Sequence, residues 1–142
     1  MIVPVEKPKP NQVLLYMLAS EVNFNDIWAI TGVPVSMFDE HDRDWHVTGS
    51  GGVALIAALG EEVQRERRLR VSDLVAVYSG QNDLLSPMVG LDPMAADFAI
   101  QGYNTPDGSH QQFMLAQAPQ CLPFPPDLPL ETAGSYMLNL GT

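Results

Sequence analysis

Four apolar segments, separated by short polar turns, dominate the pattern of the chain. Val13 to Ser20 reads VLLYMLAS, a continuous apolar run of strand length that is typical of a strand buried on both faces. His46 to Leu59 supplies glycines followed by a second apolar strand, and Leu69 to Tyr78 supplies a third strand with a turn at Ser72-Asp73. A fourth strand is predicted near His110 to Ala116. Strands joined by such short links predict a barrel or a sandwich.

Two short helices are predicted beside these strands. Asn25 or Asp26 can cap a helix over the sequence DIWAIT, which Gly32 and the following proline end. A second helix is predicted from Leu130 to Leu140. Its apolar positions need a surface to pack on, and we therefore expect a second domain that is missing from this chain.

Two further segments carry the signals of irregular structure. Ser79 to Ala96 is rich in glycine, asparagine, aspartate and proline, and it predicts a loop. Four prolines between positions 123 and 129 predict an extended connection, because proline can be neither helical in such a run nor central in a sheet.

Composition limits the classes of function. A chain of 142 residues with 46% hydrophobic content is about one domain long and can bury a core without disulfides. No apolar run reaches the roughly 20 residues of a membrane helix, and Met1 to Pro10 has no apolar signal core. Cys121 is the single cysteine, which fits a reducing compartment. We therefore expect a cytoplasmic protein without a membrane partner.

Charge argues against nucleic acid as a partner. The formal net charge of -10 repels a phosphate backbone. Four of the seven basic residues crowd into the sequence QRERRLR, at Arg65, Arg67, Arg68 and Arg70. This cluster could attract an anion, but a solvated charged loop is the favoured interpretation.

The sequence EVNFNDIW places two amides, Asn23 and Asn25, directly after the first strand. If this segment is extended, alternation puts both amides on one side and Phe24 on the other. An amide both donates and accepts hydrogen bonds, so such a pair in a cleft can orient a carbonyl or a carboxamide. The alternative is that one of the two merely caps the following helix.

Histidines offer a weaker candidate site. His41 and His46 lie five residues apart in a run of acidic residues, and His110 or Cys121 could join them in the fold. Such a group could hold a metal loosely, but a solvated acidic loop is the favoured interpretation.

Taken in order, five motifs resemble the catalytic domain of the crotonyl-CoA carboxylase/reductases, in the medium-chain dehydrogenase/reductase superfamily. These motifs are VLLYMLASEVNFNDIW, FDEHDRDWHVTGSGG, VSDLVAVY, IQGYNTPDGSHQQF and CLPFPPDLPLETAGSYMLNLGT. The resemblance covers nearly the whole chain. It implies a mainly β, GroES-like partly open β-barrel with a few short helices over residues 1–142. It also implies an enoyl-CoA thioester substrate and a homo-oligomeric full-length protein.

In this family the catalytic domain is followed by a Rossmann domain that binds NADPH, and that domain is absent from this chain. No G-x-G-x-x-G fingerprint is present, and the sequence GSGG at Gly49 to Gly52 is interpreted as a turn before a strand. We therefore expect NADPH in the full-length enzyme, while the fragment binds none and is inactive alone.

The resemblance also assigns site residues. Zinc-dependent relatives place a cysteine at the position of Asn23 and a histidine at the position of Ser50, so no zinc is expected here. The NFN segment lines the catalytic cleft in the family, where an asparagine helps to hold carbon dioxide. Asn25 is favoured for that role, with Asn23 left open.

Tyr103 and Asn104 occupy positions where carboxylating relatives commonly carry an aromatic residue and a glutamate. Tyr103 fits, whereas Asn104 replaces a carboxylate by an amide and so argues against carboxylation but not against reduction. Many relatives also carry an aspartate after the Gly-Ser pair, where this chain has Gly51 and Gly52.

The expected function is the substrate-binding catalytic domain of a zinc-independent, NADPH-dependent enoyl-CoA reductase, with Asn25, Asn23, Tyr103 and Asn104 as the candidate catalytic residues. One alternative is a degenerate GroES-like module that serves packing or oligomerisation without catalysis. Another is an enoyl reductase domain of the quinone or polyketide type, whose N-F-N-D-I pattern is similar.

Overall fold

A curled, partly open half-barrel of antiparallel strands forms the body of the domain. The computed structural model describes residues 4–81, 94 and 97–139, with the backbone alone for residues 136–139. The main sheet has five strands in the order β6-β1-β2-β3-β7, and a two-stranded ribbon pairs β4 with β5. The strands are β1 Gln12–Ser20, β2 Gly52–Leu59, β3 Leu74–Val77, β4 Gly80–Gln81, β5 Ala99–Ile100, β6 Phe113–Gln117 and β7 Cys121–Pro123. The mainly β, GroES-like fold class predicted from the sequence is confirmed.

All four predicted strands are present, although two of them begin later than predicted. The third strand covers only Leu74–Val77, because Ser72 has a positive φ of 73° and the turn there ends any earlier pairing. The predicted loop from Ser79 to Ala96 contains β4 at Gly80–Gln81, and its residues 82–93 and 95–96 lie outside the described part of the chain. As predicted from its prolines, β7 is an edge strand rather than a central one.

The core lies on the inner face of the curled sheet. Val13 and Leu15 of β1 are fully buried there, together with Ile56 of β2. The expectation that β1 is buried on both faces is wrong, because Tyr16 and Leu18 on its outer face are 37% and 38% exposed. The sheet is antiparallel, and such a sheet need cover only one face.

Three α-helices and two 3-10 turns complete the described structure. The α-helices are α1 Phe24–Thr31, α2 Glu61–Glu66 and α3 Leu130–Asn139, and the 3-10 turns are Met37–Asp39 and Ala118–Gln120. Helix α2 includes Arg65, which corrects the predicted charged loop at that residue, whereas Arg67, Arg68 and Arg70 follow the helix outside any helix or strand. All four arginines are exposed as expected. Only Val63 of this helix is buried, so its sequence carries almost no apolar periodicity.

Helix α3 packs against the domain's own sheet. Ala133 is 1% exposed, and a Cβ atom placed on Gly134 would lie 3.5 Å from the Cβ atom of Ala19 and 3.9 Å from a methyl group of Val53. For the described side chains, the domain's own sheet therefore supplies the surface that the apolar positions of this helix need. None of the helices in the described ranges is long and apolar enough to cross a membrane.

Candidate functional site

The candidate site is built where β1 ends and α1 begins. Asn23 has an extended backbone and is the N-cap of α1, because its Oδ1 atom accepts from the backbone N–H of Asn25 at 2.9 Å. The Asn23 N–H in turn donates to Oδ2 of Asp26 at 2.8 Å, which completes a capping box. The predicted caps Asn25 and Asp26 are therefore wrong, whereas the alternative that one of the two asparagines caps the helix holds for Asn23. The NFN segment turns into the helix instead of continuing as a strand.

Asp26 connects this helix terminus to a loop far away in the sequence. Its side chain is 2% exposed, and its Oδ1 atom accepts from the N–H of Gly49 at 2.8 Å while Oδ2 accepts from Asn23. A buried carboxylate that accepts two backbone hydrogen bonds is well satisfied. Asp26 therefore fixes the position of Ser50, the next residue along that loop, relative to α1.

Both asparagine side chains meet at Ser50. The Nδ2 atom of Asn23 donates to Oγ of Ser50 at 3.2 Å, and Nδ2 of Asn25 lies 3.5 Å from the same oxygen, at the limit of a hydrogen bond. The two amides thus lie on one side, as predicted, although the helical turn rather than strand alternation brings them together. Ser50 is 1% exposed, whereas both asparagines are half-buried and can contact a molecule beside them.

A network of hydroxyl groups supports the loop from behind. The Oγ atom of Ser109 donates to the carbonyl oxygen of Gly51 at 2.8 Å and lies 2.6 Å from Oγ of Ser20. Gly49 has φ 104°, and a Cβ atom there would collide with Ser109. The PDGS segment therefore holds the Ser50 loop in place, a structural role that its motif did not indicate.

The second pair of predicted residues lies in a turn that touches this loop. Gly102 has φ 77°, and a Cβ atom there would collide with the backbone of Gly49. The Tyr103 ring lies against Trp28 of α1, with ring centroids 6.3 Å apart. Oδ1 of Asn104, however, accepts from the N–H of Ile100 at 3.0 Å, so this side chain closes its own turn.

The histidines do not form the wider group that the sequence allowed. Nε2 of His41 lies 3.0 Å from Nδ1 of His46, whose Nε2 atom lies 3.0 Å from the carbonyl oxygen of Gly102. Burial lowers the pKa of His46, and the bond to Gly102 opposes this effect. His110 instead bonds Thr48 and the carbonyl oxygen of Glu21.

Cys121, the other side chain that could join a metal group, lies in the core. It is fully buried, and burial raises the pKa of its thiol to about 12. Among the residues that the structure describes, no three His, Cys, Asp or Glu side chains converge as metal ligands would.

Glu21 is a site residue that sequence reasoning missed. It follows β1 directly, it is 6% exposed, and its carboxyl lies against Gly51, the residue after Ser50. Burial, together with the charge of Asp26, raises the pKa of the Glu21 carboxyl to about 7. The one signal in the sequence is an acidic residue set between an apolar strand and the NFN segment.

An exposed apolar surface borders the site. Three apolar side chains on helix α1 or beside it are between 71% and 76% exposed, namely Val22, Phe24 and Ile30. Isolated apolar residues are common at surfaces, whereas a contiguous apolar group marks an interaction surface. On α1 the Phe24 ring contacts Trp28, with ring centroids 6.2 Å apart. A groove of about 460 Å³ lies against β6 and contains none of the four predicted site residues.

Comparison with known proteins places this site in a family context. No protein-family model matches the chain. The crotonyl-CoA carboxylase/reductase of Cereibacter sphaeroides is 40% identical over 97% of the chain and 32% of the relative. Alcohol dehydrogenase 1 of Emericella nidulans is 28% identical over 95% of the chain and 37% of its own length.

A solved structure agrees with these relatives. The 2-octenoyl-CoA carboxylase reductase CinF, in complex with NADP and 2-octenoyl-CoA, superposes with a TM-score of 0.84 at 27% identity, over 93% of the chain and 32% of that protein. The chain thus spans about a third of the length of the relatives it matches.

Proposed function

Since this chain belongs with the crotonyl-CoA carboxylase/reductases, of which it matches about a third, we propose that it is the substrate-binding part of an NADPH-dependent enoyl-CoA reductase. The observation that carries the proposal is the meeting of Asn23 and Asn25 at Ser50, beside the exposed apolar face of α1. Uncharged donors beside an apolar surface suit a thioester that carries an acyl chain.

In the proposed reaction, the residues of this chain orient the substrate and donate hydrogen bonds to it. Reduction adds a hydride, which NADPH supplies when bound, to the β-carbon of the enoyl thioester, and negative charge then develops on the thioester oxygen. The amide N–H groups of Asn23 and Asn25 can donate to such an oxygen without titrating. Tyr103, held against Trp28, would border the same space.

Among the described residues, neither the GSGG sequence nor the N-terminus of α1 fits the pyrophosphate of NADPH. The glycines of the GSGG sequence, which could suggest a phosphate loop, are buried. Their backbone bonds Asp26 and Ser109 instead of facing outward. A pyrophosphate site needs outward N–H groups at a helix N-terminus, and the N-terminus of α1 is closed by its own capping box. We assign NADPH binding to a Rossmann domain in the remainder of the full-length protein.

Zinc does not fit the site either. The two positions that zinc-dependent relatives use for ligands carry Asn23 and Ser50, which are in contact with each other at 3.2 Å. An amide and a hydroxyl bonded to each other do not provide the thiolate and imidazole donors that zinc prefers. We propose a zinc-independent enzyme, for which elemental analysis of the untagged protein should find no stoichiometric zinc.

Asn104 shifts the proposed reaction towards simple reduction. Its amide oxygen is engaged by the N–H of Ile100, so the side chain serves its own turn. We therefore propose that the enolate formed by hydride transfer is quenched mainly by a proton, which gives the saturated acyl-CoA.

The exposed face of α1 supports a second domain as the partner of this one. Phe24, Ile27 and Trp28 are between 43% and 71% exposed in this chain, and burial of such side chains contributes roughly 1.5 to 3 kcal/mol each. The same surface also suits the alternative, a packing or oligomerisation module that has lost the chemistry.

One experiment separates these functions. The full-length protein encoded by the gene should oxidise NADPH in the presence of crotonyl-CoA or 2-octenoyl-CoA. The 142-residue chain serves as its control and should neither bind NADPH in calorimetry nor turn over. A full-length protein that assembles but oxidises no NADPH with any enoyl-CoA would support the packing module. Micromolar NADPH binding by the isolated chain would contradict the proposed division of labour.

A further inference from the structure

A buried carboxyl group lies close to the loop that carries Ser50. Glu21 follows β1 directly and is 6% exposed, which is unusual for a glutamate. Its backbone is held in place, because the carbonyl oxygen of Glu21 accepts from Nε2 of His110 at 2.9 Å. The backbone from which this side chain projects is therefore anchored two residues before Asn23.

The Glu21 side chain fits against Gly51. A Cβ atom placed on Gly51 would lie 2.7 Å from Oε1 of Glu21, which is closer than real Cβ atoms approach. It would lie 3.4 Å from Cδ of Glu21 and from the carbonyl oxygen of Val77, which is ordinary contact. The backbone of Gly51 is outside the left-handed region that favours glycine. The requirement for glycine at position 51 is consequently one of space, and Glu21 occupies that space.

Both residues of this contact lie next to or near site residues in the sequence. Gly51 follows Ser50, on which the amides of Asn23 and Asn25 meet, and Glu21 precedes Asn23 by two residues. Asp26 of α1 acts on the Glu21 carboxyl through its charge, and His110 of the PDGSH segment bonds the backbone carbonyl of Glu21. Both oxygens of Asp26 accept backbone N–H bonds.

We propose that Glu21 is a positioning residue of the candidate site, whose carboxyl fills the space above Gly51 and sets the orientation of Ser50 and the two amides. Its importance for the reaction rests on the proposed function, whereas its contact with Gly51 does not. Burial and the neighbouring Asp26 raise the pKa of Glu21 to about 7. A protonated carboxyl can donate a hydrogen bond and a carboxylate only accepts, so this residue changes its hydrogen bonding near neutral pH.

The first test asks whether the Glu21 carboxyl and Gly51 fit against each other. Gly51→Ala should lower the midpoint temperature of unfolding by several degrees, because the new methyl group collides with the Glu21 carboxyl. In a Glu21→Ala background, Gly51→Ala should lower the midpoint temperature of unfolding much less, since the carboxyl group that the methyl group meets is then gone. Gly134→Ala is the matched control, because its Cβ atom would find ordinary contacts in a helix. Equal and additive effects of the two changes would overturn the proposal.

The second test separates positioning from simple packing. The side-chain amide NMR signals of Asn23 and Asn25 should shift with pH, with a midpoint near the Glu21 pKa of about 7. Glu21→Gln keeps the size of the side chain and keeps His110, and it should abolish this transition. A transition that survives in Glu21→Gln, or its absence in the original chain, would contradict the proposal. Both tests use the 142-residue chain, so their outcome does not depend on whether the full-length protein is a reductase.

Discussion

Two polar turns touch each other at Gly49 and Gly102, and they use their asparagines in different ways. In the turn that begins α1, the side chain of Asn23 contacts Ser50, which lies 27 residues away in the sequence. In the other turn, the side chain of Asn104 bonds Ile100, only four residues away. The first asparagine joins distant parts of the fold, whereas the second stabilises its own turn.

This difference bears on how a family resemblance is carried to single residues. Both turns match positions that the resemblance associates with catalysis. At the first turn, long-range bonds from Asp26 to Gly49 and from Asn23 to Ser50 hold a defined arrangement of donors. At the second, the polar atom expected to act on substrate is bonded to local backbone. A matched position therefore predicts a role only when its side chain is also directed to the site.

The largest expected effect comes from the residue that anchors the first turn. Asp26→Ala removes two hydrogen bonds from a buried carboxylate and leaves the N–H of Gly49 without its acceptor. At roughly 1.5 to 3 kcal/mol for each of the two bonds to a charged group, we expect a loss of about 3 to 6 kcal/mol in the free energy of unfolding. Denaturant unfolding measures this loss.

Asp42→Ala is the matched control for this change, because Asp42 is exposed in the acidic loop. It should alter the free energy of unfolding by less than about 0.5 kcal/mol. If Asp26→Ala were no more destabilising than this control, the long-range bonds of Asp26 would not stabilise the turn that begins α1.

The sequence predicted the elements of this site better than its contacts. β1 is a continuous apolar run, and α1 ends at Gly32 as predicted, because that residue takes the left-handed conformation with φ 68°. Asn25 or Asp26 was predicted to cap α1, whereas the cap is Asn23. The choice among them depends on where the chain leaves the extended conformation. The fit of Glu21 to Gly51 had no signal, because it joins residues 30 apart that only the folded sheet brings together.

The second prediction concerns the local turn and applies to the full-length enzyme. Asn104→Glu introduces a longer, charged acceptor, and we expect the carboxylated fraction of product to rise when bicarbonate is supplied. One charged hydrogen bond is worth roughly 1.5 to 3 kcal/mol, which corresponds to about a tenfold to hundredfold change in partition. Mass spectrometry of the acyl-CoA products measures the ratio.

Asn104→Asp is the control that distinguishes charge from reach. An aspartate can keep the bond to the N–H of Ile100, so it adds charge while staying directed to the turn. It should leave the product ratio close to that of the original enzyme. Predominantly carboxylated product from the unmodified enzyme would show that Asn104 is tolerated in the pocket and that the proposed preference for reduction is wrong.

The third prediction tests the cap. Asn23→Ala removes the side-chain bond to the N–H of Asn25 and the contact with Ser50, and loss of an N-cap costs about 1 kcal/mol. Ser36→Ala is a matched control, because Ser36 precedes a 3-10 turn without any side-chain capping bond. We expect the free energy of unfolding to fall for Asn23→Ala and to stay nearly constant for Ser36→Ala. Equal stability of the two variants would argue that the capping box contributes nothing.

The smallest effect on stability, and the most informative one for function, is expected at Asn25. Its Nδ2 atom lies 3.5 Å from Oγ of Ser50, which is too long for a strong bond, and it occupies the first turn of α1. Alanine is also the better helix former, so Asn25→Ala should change the free energy of unfolding by less than about 0.5 kcal/mol. A side chain held this loosely by the protein is available to a bound substrate. In the full-length enzyme the same change should therefore lower kcat/KM for the enoyl-CoA substrate, and in the Asn104→Glu background it should lower the carboxylated fraction of product. Clear destabilisation by Asn25→Ala together with unchanged kinetics would show that Asn25 serves the structure of the turn. Asn23 would then be the one amide of the pair proposed to contact the substrate.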